Sequence, residues 1–418
     1  MPMPSRGGSC SGKFGIAESV TRAMTACARR SNIVVGLMER SPDMTRWLRR
    51  SSKGHKAVHG SSPHHHHHKH DLQSSSHHHH HHHHHRQQHD LHSSTSDYPE
   101  EEPTYAFNPT KLFVFGDSYA DTGNLNRLVG RSWKVPYGMT FPGYPLGRFS
   151  DGLVFTDLLA KYFGLKSPLP IQWWPLDYWE HATFGTNFAY GGTGVFDTAS
   201  SDPNMTAQID CFEGMIRSAI FKVALTQSSV ALVTNSGNDY DYYLANGGQI
   251  SGMVLFIYKV VNQLVANLKR LHAPGVRKIA VAALQPLGCL PQVTSTTKFQ
   301  SCSQDDNVLV KYHNSLLQHA VDKLNNETSP STFVMIDLYS AFHSIIVNST
   351  TFKNPMKPCC TGVSSKYLCG NVDANGMKMY TVCDDPSTHF FWDTVHPTQA
   401  GWEAVYSTLG PNLDQIRV

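Results

Sequence analysis

The sequence predicts an α/β protein, a three-layer α/β/α sandwich around a parallel sheet, and two observations carry that expectation. Short apolar runs of strand length alternate with segments of helical periodicity, which is the pattern of a parallel sheet with crossover helices. The runs are also short and nearly continuous in apolar character, as strands covered on both faces are. The first is LFVF, opened by Lys111 and ended by Gly116; SVALVT (Ser229 to Thr234), KIAVAAL (Lys278 to Leu284) and TFVMIDL (Thr332 to Leu338) follow.

Spacing places the helices. Val154, Phe155, Leu158, Leu159 and Tyr162 share one face of a helix whose cap is expected at Ser150 or Asp151. A second helix is expected around Met253 to Leu271. In a third, Val308, Leu309, Tyr312, Leu316, Ala320 and Leu324 form the apolar stripe. The last is expected to begin at Pro397, a residue suited to the first helical position. In an open sheet of this kind ligands bind outside the carboxyl ends of the strands, so polar motifs directly after the apolar runs are the places to look for chemistry.

Bulk properties bound the rest. Of 418 residues, 40% are hydrophobic, enough for one sizeable core. The net charge of +3 is unevenly spread: up to His92 there are thirteen Lys and Arg against five Asp and Glu, and after it twenty-two against twenty-seven. The mildly acidic remainder lacks the basic footprint of a nucleic-acid surface. Residues 1–104, rich in Ser, Arg and two histidine runs (His64 to His68, His77 to His85), have almost no apolar periodicity and are expected to be a disordered, basic arm; residues 105–418 are expected to form the folded domain. The histidine runs are able to chelate metal or are simple repeat expansions, and no catalytic role is assigned to them. No run of eighteen or so consecutive apolar residues occurs, so no membrane span is expected, and a monomer is expected.

Seven of the nine cysteines lie beyond residue 200, four of them (Cys359, Cys360, Cys369, Cys383) in one short stretch. Disulfides are expected there, with buried thiols as the alternative, and Cys289 with Cys302 is a plausible local pair. Sequons at Asn204, Asn326 and Asn348 point in the same direction, to an oxidising compartment. The chain start shows no secretory signal, which leaves an organellar or cytoplasmic destination open.

The chemistry-bearing motifs follow the runs. GDSYADTGN, Gly116 to Asn124, puts Ser118 at the mouth of a turn after the first strand. A serine there is a nucleophile or merely a helix cap; a nucleophile requires a histidine base oriented by a carboxylate. FWDTVHP supplies one near the end of the chain, with Asp393 three residues before His396. GTNFAYGGTG, with Gly191 and Gly192, and TNSGNDY, with Asn238 and Asp239, offer backbone and amide donors for an oxyanion hole, or else form ordinary turns. Aromatic residues in QWWPLDYW (Gln172 to Trp179) and at Trp133, Tyr137 and Phe141 either line an acyl pocket or pack a loop over the sheet.

These four segments, with the Asp393 and His396 segment last in the chain, together with KVPYGMTFPGYPLGRFSDG, QID (Gln208 to Asp210), LQPLGCLP (Leu284 to Pro291) and CCTG (Cys359 to Gly362), resemble the plant GDSL esterase/lipase family of SGNH hydrolases over roughly residues 109 to 410. The resemblance implies a flavodoxin-like fold with a five-stranded parallel sheet. It implies Ser118, Asp393 and His396 as a catalytic triad, and Ser118, Gly192 and Asn238 as oxyanion-hole donors. It also implies secretion and an acyl ester of a small molecule, lipid or polysaccharide as substrate, hydrolysed without metal or organic cofactor. An acyltransferase with the same triad, or a non-catalytic lipid- or carbohydrate-binding relative, is the alternative. One departure stands out: Ser236 occupies the position, two before the asparagine, where the family carries glycine.

Overall fold

A computed structural model describes residues 105–174, 183–222 and 226–418; the expected disordered arm lies outside the described residues. Four strands coincide with the apolar runs: β1 (Lys111–Phe115), β4 (Ser229–Val233), β5 (Lys278–Ala282) and β6 (Phe333–Ile336). Two shorter ones, β2 (Leu169–Pro170) and β3 (Gly185–Asn187), complete a parallel sheet in the order β2-β3-β1-β4-β5-β6. The sheet therefore has six strands where five were expected; the extra one is a two-residue edge strand, and Pro170 suits an edge because it has no N–H to donate.

Both faces of the sheet are covered, so alternate residues of each strand enter different layers. Phe113, Phe115, Ala231, Val233, Ile279, Val281 and Phe333 pack under three helices, α2 (Met205–Arg217), α4 (Met253–His272) and α6 (Gln304–Glu327). Leu112, Val114, Val230, Leu232, Ala280, Ala282, Val334 and Ile336 face the other layer, formed by α1 (Phe155–Tyr162), α7 (Leu338–Asn348), α8 (Gln399–Thr408) and α9 (Gly410–Ile416). Between β4 and α4 lies the shorter α3 (Asn238–Ala245), and α5 (Pro291–Thr294) follows β5. Residues Ile250–His272 are long and apolar enough to cross a membrane by length and composition; Ile257, Val260, Val261, Leu264, Leu268 and Leu271 of this segment are buried in the first core layer.

Three helical expectations need correction. The α1 N-terminus is not capped by Ser150 or Asp151; Asp157, inside the first turn, accepts the Val154 N–H at 2.9 Å and also takes a bidentate pair from Arg148 at 2.7 and 2.8 Å. The buried stripe of α6 is Asn307, Val310, His313, Leu317, Val321 and Leu324, while Val308 and Tyr312 are exposed. Two polar residues displace the apolar ones because each finds a buried partner: Asn307 accepts the Gly288 N–H, and His313 Nδ1 shares a hydrogen bond with the Tyr240 hydroxyl at 2.6 Å. The helix expected from Pro397 is α8 and starts at Gln399, with the Thr398 hydroxyl accepting the Gly401 N–H, while Pro397 makes an isolated bridge to Phe391; it is not the last, because α9 follows from Gly410.

A small antiparallel pair, β7 (Cys360–Gly362) and β8 (Tyr380–Val382), sits outside the main sheet. Disulfides join Cys289 to Cys302, Cys359 to Cys383 and Cys360 to Cys369. The latter two staple this hairpin, whose Cys359 and Cys360 N–H groups donate to the carbonyls of Phe391 and Trp392. Of the sequon asparagines, Asn326 and Asn348 are exposed, whereas Asn204 caps α2 and donates its amide to Asp197 at 2.6 Å.

Candidate active site

The chain leaves β1 through Gly116, whose φ of +130° and whose missing Cβ are both required: a Cβ there would lie 2.3 Å from the Thr234 carbonyl oxygen. Gln208, on α2, holds this turn from the side by accepting the Gly116 N–H at 2.8 Å and donating to the Gly116 carbonyl at 2.9 Å. Asp117 then ties the turn to the loop after β4. Its carboxylate accepts the Ser236 N–H and hydroxyl, the Thr234 hydroxyl at 3.1 Å and the Tyr119 N–H at 3.2 Å. The serine that departs from the family pattern thus adds a side-chain hydrogen bond between these two loops.

Ser118 follows, buried to 6% exposure, at the carboxyl end of the central strand. Its hydroxyl lies 2.8 Å from His396 Nε2. On the other side of the ring, His396 Nδ1 is 2.9 Å from each oxygen of Asp393. Those oxygens are acceptors only, so Nδ1 carries the proton and Nε2 accepts from the Ser118 hydroxyl. Residues separated by 278 positions meet here because the 393–396 turn is closed on itself: Asp393 Oδ1 accepts the N–H of both Val395 and His396, and the Trp392 N–H donates to the His396 carbonyl at 2.7 Å. Burial pushes the Asp393 carboxyl up, but the facing His396 ring, its hydrogen bonds and the charge of Arg131 outweigh this and hold it well below the usual carboxylate range.

The environment fixes the imidazole further. Phe149 stacks on one face of the His396 ring at 4.7 Å, and Tyr119 meets it edge-on at 5.9 Å while its hydroxyl donates to the Val395 carbonyl. Tyr137, fully buried, donates its hydroxyl to Asp393 Oδ2 at 2.7 Å.

The two further segments flank Ser118 and are fastened to the same turn. In the 190–196 loop, Tyr190 N–H and the Thr193 hydroxyl both donate to the Gly116 carbonyl. Gly191 commits its N–H to Asp121 Oδ2 at 2.9 Å, while its neighbour Gly192, at φ +79°, is half-buried, and a Cβ there would make only an ordinary contact with Ser200 at 3.7 Å. Asn238 opens α3 after Gly237, at φ +112°, and its amide donates to the Thr193 carbonyl at 2.9 Å. Asp239, the next residue, accepts the N–H groups of Val195 and Phe196 at 3.0 Å each.

Two buried carboxylates therefore clamp the 190–196 loop, Asp121 from the Ser118 turn and Asp239 from α3. Burial pushes Asp121 up to about 7, against three N–H donors, and Asp239 up to about 6. Because both values are raised, the native state holds extra protons between about pH 4 and 7, and the stability this contributes is lost as pH rises through 6 to 7. Asp121→Asn cannot ionise, so its melting temperature is expected to fall less between pH 5 and pH 8 than that of the wild type, which a thermal-shift titration measures; parallel curves would contradict the assignment.

A serine hydroxyl bonded to an oriented neutral imidazole, with loops offering N–H and amide donors beside it, is the arrangement that acyl transfer requires. The GDSL-like lipase/acylhydrolase family model matches residues 112–409. The chain belongs to that family. A GDSL esterase/lipase of Arabidopsis thaliana is 54% identical over 316 residues, covering 74% of this chain and 88% of the relative. Another from the same plant is 48% identical over 329 residues, covering 77% and 93%. Acetylajmalan esterase 2 of Rauvolfia serpentina is 30% identical over 336 residues, covering 72% and 90%. This GDSL protein is a serine ester hydrolase, the activity common to those relatives' descriptions.

All five residues singled out from the sequence lie at this carboxyl end of the sheet. Tyr137, Phe149, Asp117, Asp121 and Gln208 were not assigned roles there, and in one sequence no signal links Tyr137 to a carboxylate 256 positions away. Of the aromatic cluster, Trp173 and Trp133 pack against each other at 5.8 Å beside the Ser118 loop, with Trp173 donating to the Gly123 carbonyl. Residues 175–182 of that cluster lie outside the described residues.

Proposed function

We propose that this enzyme hydrolyses carboxylic esters in two steps through an acyl group carried on Ser118. His396 removes the Ser118 proton as the oxygen attacks the ester carbonyl. Asp393 fixes the imidazole tautomer and stabilises the imidazolium as it forms. The Ser118 N–H, the Gly192 N–H and the Asn238 amide receive the oxyanion; the commitment of Gly191 N–H to Asp121 favours Gly192 of the two glycines. His396 then returns its proton to the leaving alcohol and activates water to release the acid. The observation that carries this reading is the continuous bonded chain from Asp393 through His396 to the Ser118 oxygen.

The substrate class proposed is an acyl ester of a small molecule or lipid. A panel of p-nitrophenyl and natural esters from acetyl to long acyl chains, run on the full-length protein, is expected to show turnover that peaks at one chain length and yields free acid. Acid formation absent across the panel, or acyl transfer to added alcohols in preference to water, would overturn hydrolysis as the reaction. The three disulfides among the described residues support folding in an oxidising compartment; unmodified Asn326 and Asn348 in protein from its native source would speak against one that glycosylates.

A further inference from the structure

Tyr137 does something the triad alone does not explain. Its ring is buried in a cluster with Phe149, Trp392, Tyr380 and the Cys359, Cys360 and Cys369 sulfurs, and it meets the Phe149 and Trp392 rings at 6.0 Å each. The Tyr380 hydroxyl donates to the Val135 carbonyl, and the Tyr137 N–H to that of Lys134, so the loop bearing Tyr137 is tied to the disulfide-stapled hairpin. That same hairpin donates to the carbonyls of Phe391 and Trp392, directly before Asp393. Phenol and carboxylate are thus mounted on one rigid unit, with only the hydroxyl reaching into the polar site.

A carboxylate has about four lone-pair positions. On Asp393, Oδ1 serves Val395 N–H, His396 N–H and the imidazole, while Oδ2 serves the imidazole and the Tyr137 hydroxyl. Among the described residues, Tyr137 is the one side chain besides His396 that donates to this carboxylate. Burial, and then the charge of Asp393, push the Tyr137 phenol well above its usual range, so it remains a donor. The other charged or titratable groups facing the pair are Arg131, whose charge acts on Asp393, Tyr119, which lies edge-on to the imidazole, and Asp117, whose charge acts on Tyr119.

We propose that Tyr137 is a positioning residue for ester hydrolysis: its hydroxyl fixes the rotation of the Asp393 carboxylate and withdraws charge from Oδ2, so that the His396 imidazole is a weaker base that stays unprotonated at Nε2, and able to take the Ser118 proton, at lower pH. This rests on the acyl-transfer reading above. A hydrogen bond to the charged form of a carboxylate disfavours proton uptake by the group it serves. Removing it leaves more negative charge on Asp393 to stabilise the imidazolium, so the pair protonates earlier as pH falls.

Two full-length variants test the inference in opposite directions. Tyr137→Phe keeps the ring in its cluster and removes the donor. Its kcat is expected to fall roughly tenfold with KM within about twofold, and the acid limb of its kcat/KM profile to move up by about half to one pH unit. Replacement of Tyr137 by site-specifically incorporated 3-fluorotyrosine, a stronger donor, keeps every contact and is expected to move that limb down. Both variants should still be labelled at Ser118 by a fluorophosphonate, which shows that triad and fold persist. Acid limbs that coincide with the wild type in both, or a loss of kcat equal at every pH, would show Tyr137 to be packing only. If Tyr137→Phe does not fold, the fluorotyrosine limb alone decides. Loss of labelling in the wild type would instead overturn the acyl-transfer reading itself.

Discussion

Ser118→Ala is expected to lose ester turnover by about four to six orders of magnitude while retaining the wild-type melting temperature to within a few degrees. Among the described residues the hydroxyl makes one hydrogen bond, to His396 Nε2, and its Cβ lies in a turn held by others: Gln208 on Gly116, Ser236 and Thr234 on Asp117. Deleting one oxygen therefore removes the attacking atom and leaves the scaffold intact. Steady-state hydrolysis of the best ester in the panel, together with a thermal melt, checks both halves. Turnover within an order of magnitude of wild type would take Ser118 out of the mechanism.

The next largest effect belongs to Asp393→Asn, for which kcat is expected to fall on the order of 10⁴-fold. An asparagine amide placed against His396 Nδ1 presents a donor where the ring now has its N–H. The ring answers by carrying its proton on Nε2, and Nε2 then has no lone pair for the Ser118 hydroxyl. The turn itself should persist, because the amide oxygen is able to accept the Val395 and His396 N–H groups that Oδ1 accepts now. A melting temperature close to that of the wild type separates this from simple unfolding. Wild-type kcat in a folded Asp393→Asn protein would show that the carboxylate orients nothing.

The sheet was readable in the sequence where strands are buried on both faces, since LFVF and VALV are continuous apolar runs and both lie in fully covered strands. It was not readable at β2 and β3: two and three residues carry no period, and GTN has none of the β-branched density of the other strands apart from Thr186. The phase of α6 was missed for a different reason. Hydrophobic spacing counts Asn307 and His313 as solvent-facing, yet each is buried against a hydrogen-bond partner that comes from a distant segment, Gly288 and Tyr240 respectively. The same limit applies at the helix starts, where Val154 takes the cap position expected of Ser150 or Asp151 with its N–H held by Asp157, and Thr398 caps one residue beyond the expected first helical residue, Pro397.

Ser118, His396 and Asp393 were legible because acyl-transfer chemistry demands those three residue types and because Asp393 and His396 sit in one short turn. Asn238 and Gly192 were legible as members of polar loops after strands, and those two loops are joined by the Asn238 amide on the Thr193 carbonyl. Tyr137 and Gln208 were not, because their parts are defined only by contacts across the fold, 256 and 92 positions away. The two carboxylates Asp121 and Asp239 occupy the same category: as sequence each is one acid in a polar loop, and as structure they hold the 190–196 loop from opposite sides.

The measurement that bears most directly on the shared role of Ser118 and His396 is peptide mapping of the protein after brief exposure to a fluorophosphonate near neutral pH. A single phosphonyl adduct on the peptide containing Ser118, formed in the wild type and lost in His396→Ala, is the expected result. An unlabelled wild-type protein, or an adduct on another serine that forms equally well without the imidazole, would contradict it.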